Sequence, residues 1–155
     1  MLEAFSRFLR NRPDSMFVYV GDGEDREKLE SFICGKQLAG KVLLTGRQSA
    51  AETALYLNAA DLFVMGSELE GWSTTLVEAC ACGIPSVVTA FSSSEDMIQD
   101  GVNGYVVRDR DPERFAEMMA AALLINREQC TLHNRRYAAL AVAQLRQHLL
   151  QAISI

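Results

Sequence analysis

The chain has 155 residues, 49% hydrophobic and 23% charged, the proportions of one ordinary globular domain. Fifteen Lys and Arg against twenty Asp and Glu leave a formal charge of −5, the wrong sign for a domain that holds nucleic acid by neutralising phosphates. The longest apolar run, Met118 to Ile125, is far short of the roughly 20 residues that cross a bilayer, and MLEAFSRFLRNRP has no signal-peptide pattern.

The predicted elements alternate between short β-branched runs and longer amphipathic ones, the pattern of βαβ units around a parallel sheet. A short amphipathic helix, Leu2 to Asn11, comes first, with Arg7, Arg10 and Arg12 expected on a solvated face. A leading helix of this kind ordinarily packs against a strand that came before it. Met16 to Val20 is the first candidate strand, followed by the turn Gly21-x-Gly23 and a helix over residues 24–38 that places Leu29, Phe32 and Ile33 on one face. Position 26 is Arg, and no acidic residue ends the second strand, so the turn is not a dinucleotide fingerprint.

Val42 to Thr45 is the second strand, Ala50 to Ala60 a helix, and Leu62 to Met65 the third strand. Ser86 to Thr89 and Tyr105 to Val107 complete five strands whose near-continuous apolar character (FVYV, LFVM, SVV) predicts helices over both faces. Ser92-x-x-Glu95 has the form of a capping box, Asp111-Pro112 that of an N-cap with proline at the first helical position, and Asp100-Gly101 and Asn103-Gly104 mark turns. The spacing of Phe115, Met118, Met119, Ala122 and Leu123 predicts a helix over 113–125. A longer one runs from Glu128 to Ala152, with Tyr137, Leu140, Ala141, Leu145 and Leu149 on one face. His133 and His148 fall on it, at expected surface positions. Cys34, Cys80, Cys82 and Cys130 form no C-x-x-C pair, and Cys80 and Cys82 are too close in a helix to close on one metal. They read as reduced thiols, Cys80 and Cys82 as small buried residues.

The segment from Gly66 to Ala79 joins a buried strand to an apolar helix at the carboxyl edge of the sheet, where open α/β folds bind ligands. From Ser73 to Thr75 the helix start offers N–H groups and a partial positive charge, a seat for phosphate even in an acidic domain. Glu70 precedes the helix and Glu78 lies about one turn inside it. The same residues admit plainer readings: Thr75-x-x-Glu78 fits a capping box, and Glu70 fits a solvated loop position.

The ordered series extends beyond this segment. Gly21 and Gly23 follow the first strand, and Gly46, Arg47 and Gln48 follow the second. Ala60-Asp61-Leu62-Phe63-Val64 forms the third. Glu70-Gly71 and Glu78-Ala79 make an E-x7-E pair, followed by Gly83-Ile84-Pro85, Glu95 and Gly101-x-Asn103-Gly104. In this order the chain resembles the C-terminal, donor-binding half of retaining GT-B glycosyltransferases, the group-1 family, over about residues 1 to 125. The resemblance implies one Rossmann-like three-layer domain with a mainly parallel sheet, half of a GT-B fold, covering 1–125 and lacking its first strand and the acceptor domain before it. Residues 126–155 would then be a C-terminal helix packed on the same domain.

It also implies transfer of a hexosyl group from a nucleotide-diphosphate-sugar with retention of configuration. Glu70 would lie beside the transferred sugar as the catalytic residue, and Glu78 would accept from the ribose hydroxyls. Gly71, Trp72, Ser73 and Thr74 would border sugar and phosphates, and Gly46, Arg47 and Gln48 the base, with Gly21 and Gly23 at the donor's edge. The nucleotide-sugar is a co-substrate; no metal or other cofactor is expected. The family's loop commonly reads E-G-Phe-Gly, where this chain has Trp72 and Ser73, and its diphosphate-binding Arg and Lys would precede residue 1. An isolated fragment is therefore expected to bind donor weakly and transfer little, with an acceptor domain or split partner chain as its natural complement. The expected location is cytoplasmic, with any attachment to a membrane made through that missing domain. The competing class is a non-catalytic nucleotide-sugar-binding or scaffolding module. A glycoside hydrolase would instead need Glu70 and Glu78 to flank one bond about 5 to 9.5 Å apart.

Overall fold

The computed structural model describes residues 1–67 and 71–139. The elements run α1 (Leu2–Phe8), β1 (Phe17–Val20), α2 (Arg26–Gly35), β2 (Val42–Gly46), α3 (Ala50–Ala59), β3 (Phe63–Met65), α4 (Thr74–Ala81), β4 (Ser86–Thr89), α5 (Ser94–Met97), β5 (Gly104–Val107) and α6 (Pro112–Ala122). Residues 127–139 are helical, and the rest of the expected Glu128 to Ala152 helix lies outside the described residues. Every strand pairing is parallel.

The five strands do not form one sheet: β1 pairs with β2, and β3, β4 and β5 form a separate ladder in that order. One apolar core nevertheless lies beneath both. Leu2, Phe5 and Phe8 of α1 pack in a single cluster with Phe17 of β1, Val87 of β4, Val107 of β5 and Phe115, Met119 and Ala122 of α6. Leu29, Phe32 and Ile33 of α2, half-buried rather than fully enclosed, close its side. A second cluster on the other face joins Leu76, Val77 and Cys80 of α4 to Val88, Val106 and Tyr137.

Helix cover over both faces holds for β4, which is buried at all four positions, but not for the other ladder. Val18 of β1 and its register partner Leu43 of β2 are 38% and 45% exposed, because the described residues place no helix over that side of the pair. Arg7 also departs from a solvated face. It bridges Glu113 of α6 at 2.6 Å and Glu3 at 3.5 Å, while Arg10 and Arg12 are exposed as expected.

Helix ends follow local chemistry. Ser49 and Glu52 form a reciprocal capping box on α3, and Asp111 accepts from the N–H groups of Glu113 and Arg114 ahead of Pro112. Ser92 and Glu95 do not form theirs: α5 has no side-chain cap, the Ser92 hydroxyl points elsewhere, and Glu95 pairs with Arg108 at 2.8 Å. Asn103 is wholly buried. It accepts from the Gln99 N–H (2.7 Å) and donates to the Met97 carbonyl (2.9 Å) and the Asn134 side chain (2.7 Å), tying the turn before β5 to the 127–139 helix.

Candidate functional site

Because the strands of each ladder run parallel, their carboxyl ends lie at one edge of it, and the residues after them form the candidate site. After β3, Gly66 and Ser67 are described, and Gly71 and Trp72 lead into Ser73, the N-cap of α4. The Ser73 hydroxyl accepts from the Leu76 N–H (3.2 Å) and lies 3.4 Å from the Met65 sulfur, so its 3%-exposed side chain is committed to the helix start. The first backbone bond of the helix is Val77 N–H to Ser73 C=O. The N–H groups of Thr74 and Thr75 are thereby left without an intrahelical acceptor, at the positive end of the helix. Since Ser73 caps, Thr75 and Glu78 are not a capping box. Glu78 sits half-buried one turn inside α4, close enough to Cys82 that its charge, after burial, raises that thiol's pKa.

Three hydroxyls hold Ser67 and Gly71, the described residues on either side of 68–70, and the sequence reading missed all three. Thr89, the last residue of β4, donates to the Ser67 carbonyl (2.7 Å); Ser93 and Ser92 donate to the Gly71 carbonyl (2.7 and 3.2 Å). The signal was present in the Thr89 to Ser94 stretch, whose serines look like cap residues when only the following helix is considered. Gly71 and Trp72 are exposed, with 48% of Trp72 accessible. Glu70 lies outside the described residues, so its separation from Glu78 is not described.

On the other ladder, Gly21 (φ +128°) donates to the Gly46 carbonyl at 2.9 Å, and Gly46 (φ +72°) ends β2 in a conformation suited to glycine. Gln48 folds back to donate to the Thr45 carbonyl (3.0 Å), while Arg47 is exposed. A cavity of about 150 Å³ lies beside Gly21 and Gly23, lined also by Tyr19, Asp22 and Arg26. The Arg26 guanidinium comes within 3.9 Å of a Cβ built on Gly46 and pairs with Asp22 and Glu30. Arg26 is thus a second base beside the Gly46 turn. Gly21, Gly23, Gly46, Arg47 and Gln48 follow strands of one ladder, and Gly71 to Glu78 follow a strand of the other.

A second cavity, about 410 Å³, opens between α5 and the 127–139 helix, lined by Glu95, Asp100, Arg108, His133 and Arg136. None of residues 46–48 or 71–78 lines it, and Arg108 is already paired with Glu95. His133 is half-buried there rather than at the surface, and His148 lies outside the described residues.

The thiols are free, Cys80 and Cys130 buried, Cys82 half-buried and Cys34 exposed. Burial pushes Cys80 up to about 12 and Cys130 up to about 11. A thiol held neutral only in the folded state leaves stability intact below its ordinary value of 9.0 and removes it as pH climbs through 9 toward the folded value. Relative to the native chain, Cys80→Ala is therefore expected to gain stability from pH 9 upward in urea unfolding. A difference constant with pH contradicts the assignment. Among the described residues no group of three or more His, Cys, Asp or Glu could hold a metal ion, and no helix is long and apolar enough to cross a membrane.

The elements define an open parallel α/β domain with loops at the carboxyl ends of its strands. The chain matches the family described as Glycosyl transferases group 1 over residues 1–139, and it belongs to that family. It is 34% identical over 104 residues to the alpha-monoglucosyldiacylglycerol synthase of Acholeplasma laidlawii, covering 67% of this chain and 26% of that protein. It is 32% identical over 147 residues to the D-inositol 3-phosphate glycosyltransferase of Geodermatophilus obscurus, covering 89% and 32%. The chain therefore spans about a third or less of these two relatives. Among solved structures, Anabaena HepE in complex with UDP-glucose superposes with a TM-score of 0.75 at 20% identity, over 99% of this chain and 44% of that one. That likeness establishes the fold, the Rossmann-like domain of GT-B glycosyltransferases.

Proposed function

We propose that this chain is the donor-binding half of a retaining glycosyltransferase that takes a hexosyl group from a nucleotide-diphosphate-sugar. The observation that carries the reading is the start of α4. Ser73 supplies the cap, the N–H groups of Thr74 and Thr75 have no intrahelical acceptor, and Ser67 and Gly71 ahead of them are held by Thr89, Ser92 and Ser93. Fixed dipoles of this kind suit a diphosphate on which negative charge builds as the sugar departs, and they need no reorganisation when it does. Glu78 accepts from the ribose hydroxyls in this reading, Glu70 lies beside the transferred sugar, and Gly71 and Trp72 border it. Gly46, Arg47 and Gln48 approach the base, and Gly21 and Gly23 the donor's outer side. Ser73 contributes backbone only, since its hydroxyl is occupied. Membership of a family whose relatives are named glycosyltransferases supports the reaction class, and the HepE complex supports a UDP-sugar as probe. The partner is an acceptor-binding domain, on the same polypeptide or a second chain, and transfer requires it.

Charge-assisted hydrogen bonds to an ionised carboxylate are worth about 1.5 to 3 kcal/mol each. Calorimetric titration with UDP-glucose should therefore show Glu78→Ala weakening donor binding by roughly tenfold to over a hundredfold. Unchanged affinity removes Glu78 from the site. A non-catalytic nucleotide-sugar-binding or scaffolding module is the second reading, favoured by Trp72 and Ser73 where the family's loop commonly reads Phe-Gly. Adding an acceptor domain distinguishes them: transfer appears if the chain is half an enzyme and stays absent if it is a module.

A further inference from the structure

We infer that Ser93 and Tyr137 are positioning residues that together orient the peptide between Gly71 and Trp72, with the one-turn helix α5 as the link between them. In the donor-binding reading, on which this rests, Gly71 and Trp72 border the transferred sugar.

α5 cannot set its own position. It spans Ser94–Met97 and is closed by two bonds, from the Met97 N–H to the Ser93 carbonyl (3.2 Å) and from the Ile98 N–H to the Ser94 carbonyl (2.8 Å). A single turn fixes many dihedrals for very few bonds, so a helix this short persists only where its ends are held.

Both ends are held from outside. Ser93 occupies the N-cap position, where a serine hydroxyl ordinarily accepts from the N–H two or three residues on, yet it makes no capping bond. Ser93 is 4% exposed, and its hydroxyl donates instead to the Gly71 carbonyl at 2.7 Å. The buried Ser94 hydroxyl accepts from the Phe91 N–H (3.0 Å) and donates to the Phe91 carbonyl (2.8 Å), which closes the turn that presents Ser93. At the other end, the Tyr137 hydroxyl donates to the Asp96 carbonyl (3.1 Å), as does the Arg136 guanidinium (3.2 Å), and the Asn103 amide donates to the Met97 carbonyl (2.9 Å). These carbonyls are among those that a helix end leaves without intrahelical partners.

Among the described residues no hydrogen bond joins the 127–139 helix to Gly71 directly, so α5 transmits the constraint. In a trans peptide, a Gly71 carbonyl drawn toward α5 turns the Trp72 N–H away from it. Ser93 therefore selects the face that this peptide presents, and Tyr137 keeps Ser93 in place. Ser92 donates to the same carbonyl at 3.2 Å from an exposed position, where water competes for the bond, and contributes less.

Trp72 is the chain's single tryptophan and is 48% exposed, so its fluorescence reports on this peptide directly. Ser93→Ala is expected to raise acrylamide quenching of Trp72 and lower its anisotropy. Tyr137→Phe, which removes one oxygen and keeps the buried ring, is expected to give a smaller change in the same direction. The double variant should go no further than Ser93→Ala, because a released Ser93 end leaves Tyr137 nothing to transmit. Asp111→Ala, which removes the cap of α6, should lower stability and leave Trp72 unchanged. Titration with UDP-glucose should show Ser93→Ala weakening donor binding roughly twofold to tenfold, the worth of one hydrogen bond. Unchanged Trp72 signals in Ser93→Ala or in Tyr137→Phe overturn the inference. So do additive effects in the double variant, an equal change in Asp111→Ala, or full donor affinity in Ser93→Ala when the native chain binds UDP-glucose. A native chain that binds no UDP-glucose while Trp72 responds as described defeats the donor-binding reading and leaves the positioning of Gly71 standing.

Discussion

Replacing Phe5 by alanine is expected to lower the unfolding free energy by about 3 to 5 kcal/mol, the range for removing a buried aromatic ring. Phe5 is 1% exposed, its ring lies 5.2 Å from that of Phe17 and 6.4 Å from that of Phe8, and its cluster includes Val87 and Val107 of the other ladder. Among the described residues no hydrogen-bond ladder joins β1 to β3, so this apolar cluster is what the two ladders share. For a domain of this size the loss corresponds to a fall in Tm of roughly 6 to 20 °C. Leu124→Ala, at a position 79% exposed, should fall within about 0.5 kcal/mol of the native chain. Equal effects of the two substitutions would show that α1 does not hold the ladders together.

Gly104→Ala is expected to cost at least about 3 kcal/mol, by overpacking against backbone that cannot move aside. Gly104 pairs with Ser86 in the β4–β5 register, and a Cβ there would fall on the Ser86 carbonyl oxygen. Relieving that overlap means parting the ladder next to Asn103, whose side chain anchors the same turn. Gly101, three residues earlier, separates sterics from conformation. It has φ +76° but no closer neighbour than the Tyr105 hydroxyl at 3.9 Å, so its alanine variant should lose only the left-handed penalty of about 1 to 2 kcal/mol. Urea unfolding of both variants checks the ranking. A Gly104→Ala protein as stable as Gly101→Ala would contradict the close approach of β5 to β4.

The order and type of the elements were legible because each strand is a compact apolar run and each helix has its own period or cap. Asp111-Pro112 gave the start of α6, and the boundaries of β4 match the expected Ser86 to Thr89. The break between ladders was not legible as such, since pairing is a long-range property. The solvated face assigned to Arg7 failed for a similar reason: its partner Glu113 is 106 residues away.

At the candidate site, sequence placed the start of α4 and the carboxyl-edge loops correctly, because strand–loop–helix junctions are set by adjacent residues. It misread Ser92 and Glu95, whose spacing fits a capping box while the Ser92 hydroxyl is drawn to the Gly71 carbonyl and Glu95 to Arg108. It also passed over Arg26, which reaches the Gly46 turn from the first turn of α2.

The most direct measurement is the structure of crystals soaked in UDP-glucose. The account predicts diphosphate oxygens within hydrogen-bonding distance of the Thr74 and Thr75 N–H groups, with the ribose hydroxyls on Glu78. A nucleotide seated instead in the groove between Arg108 and Arg136, or an empty α4 start under saturating donor, would contradict it.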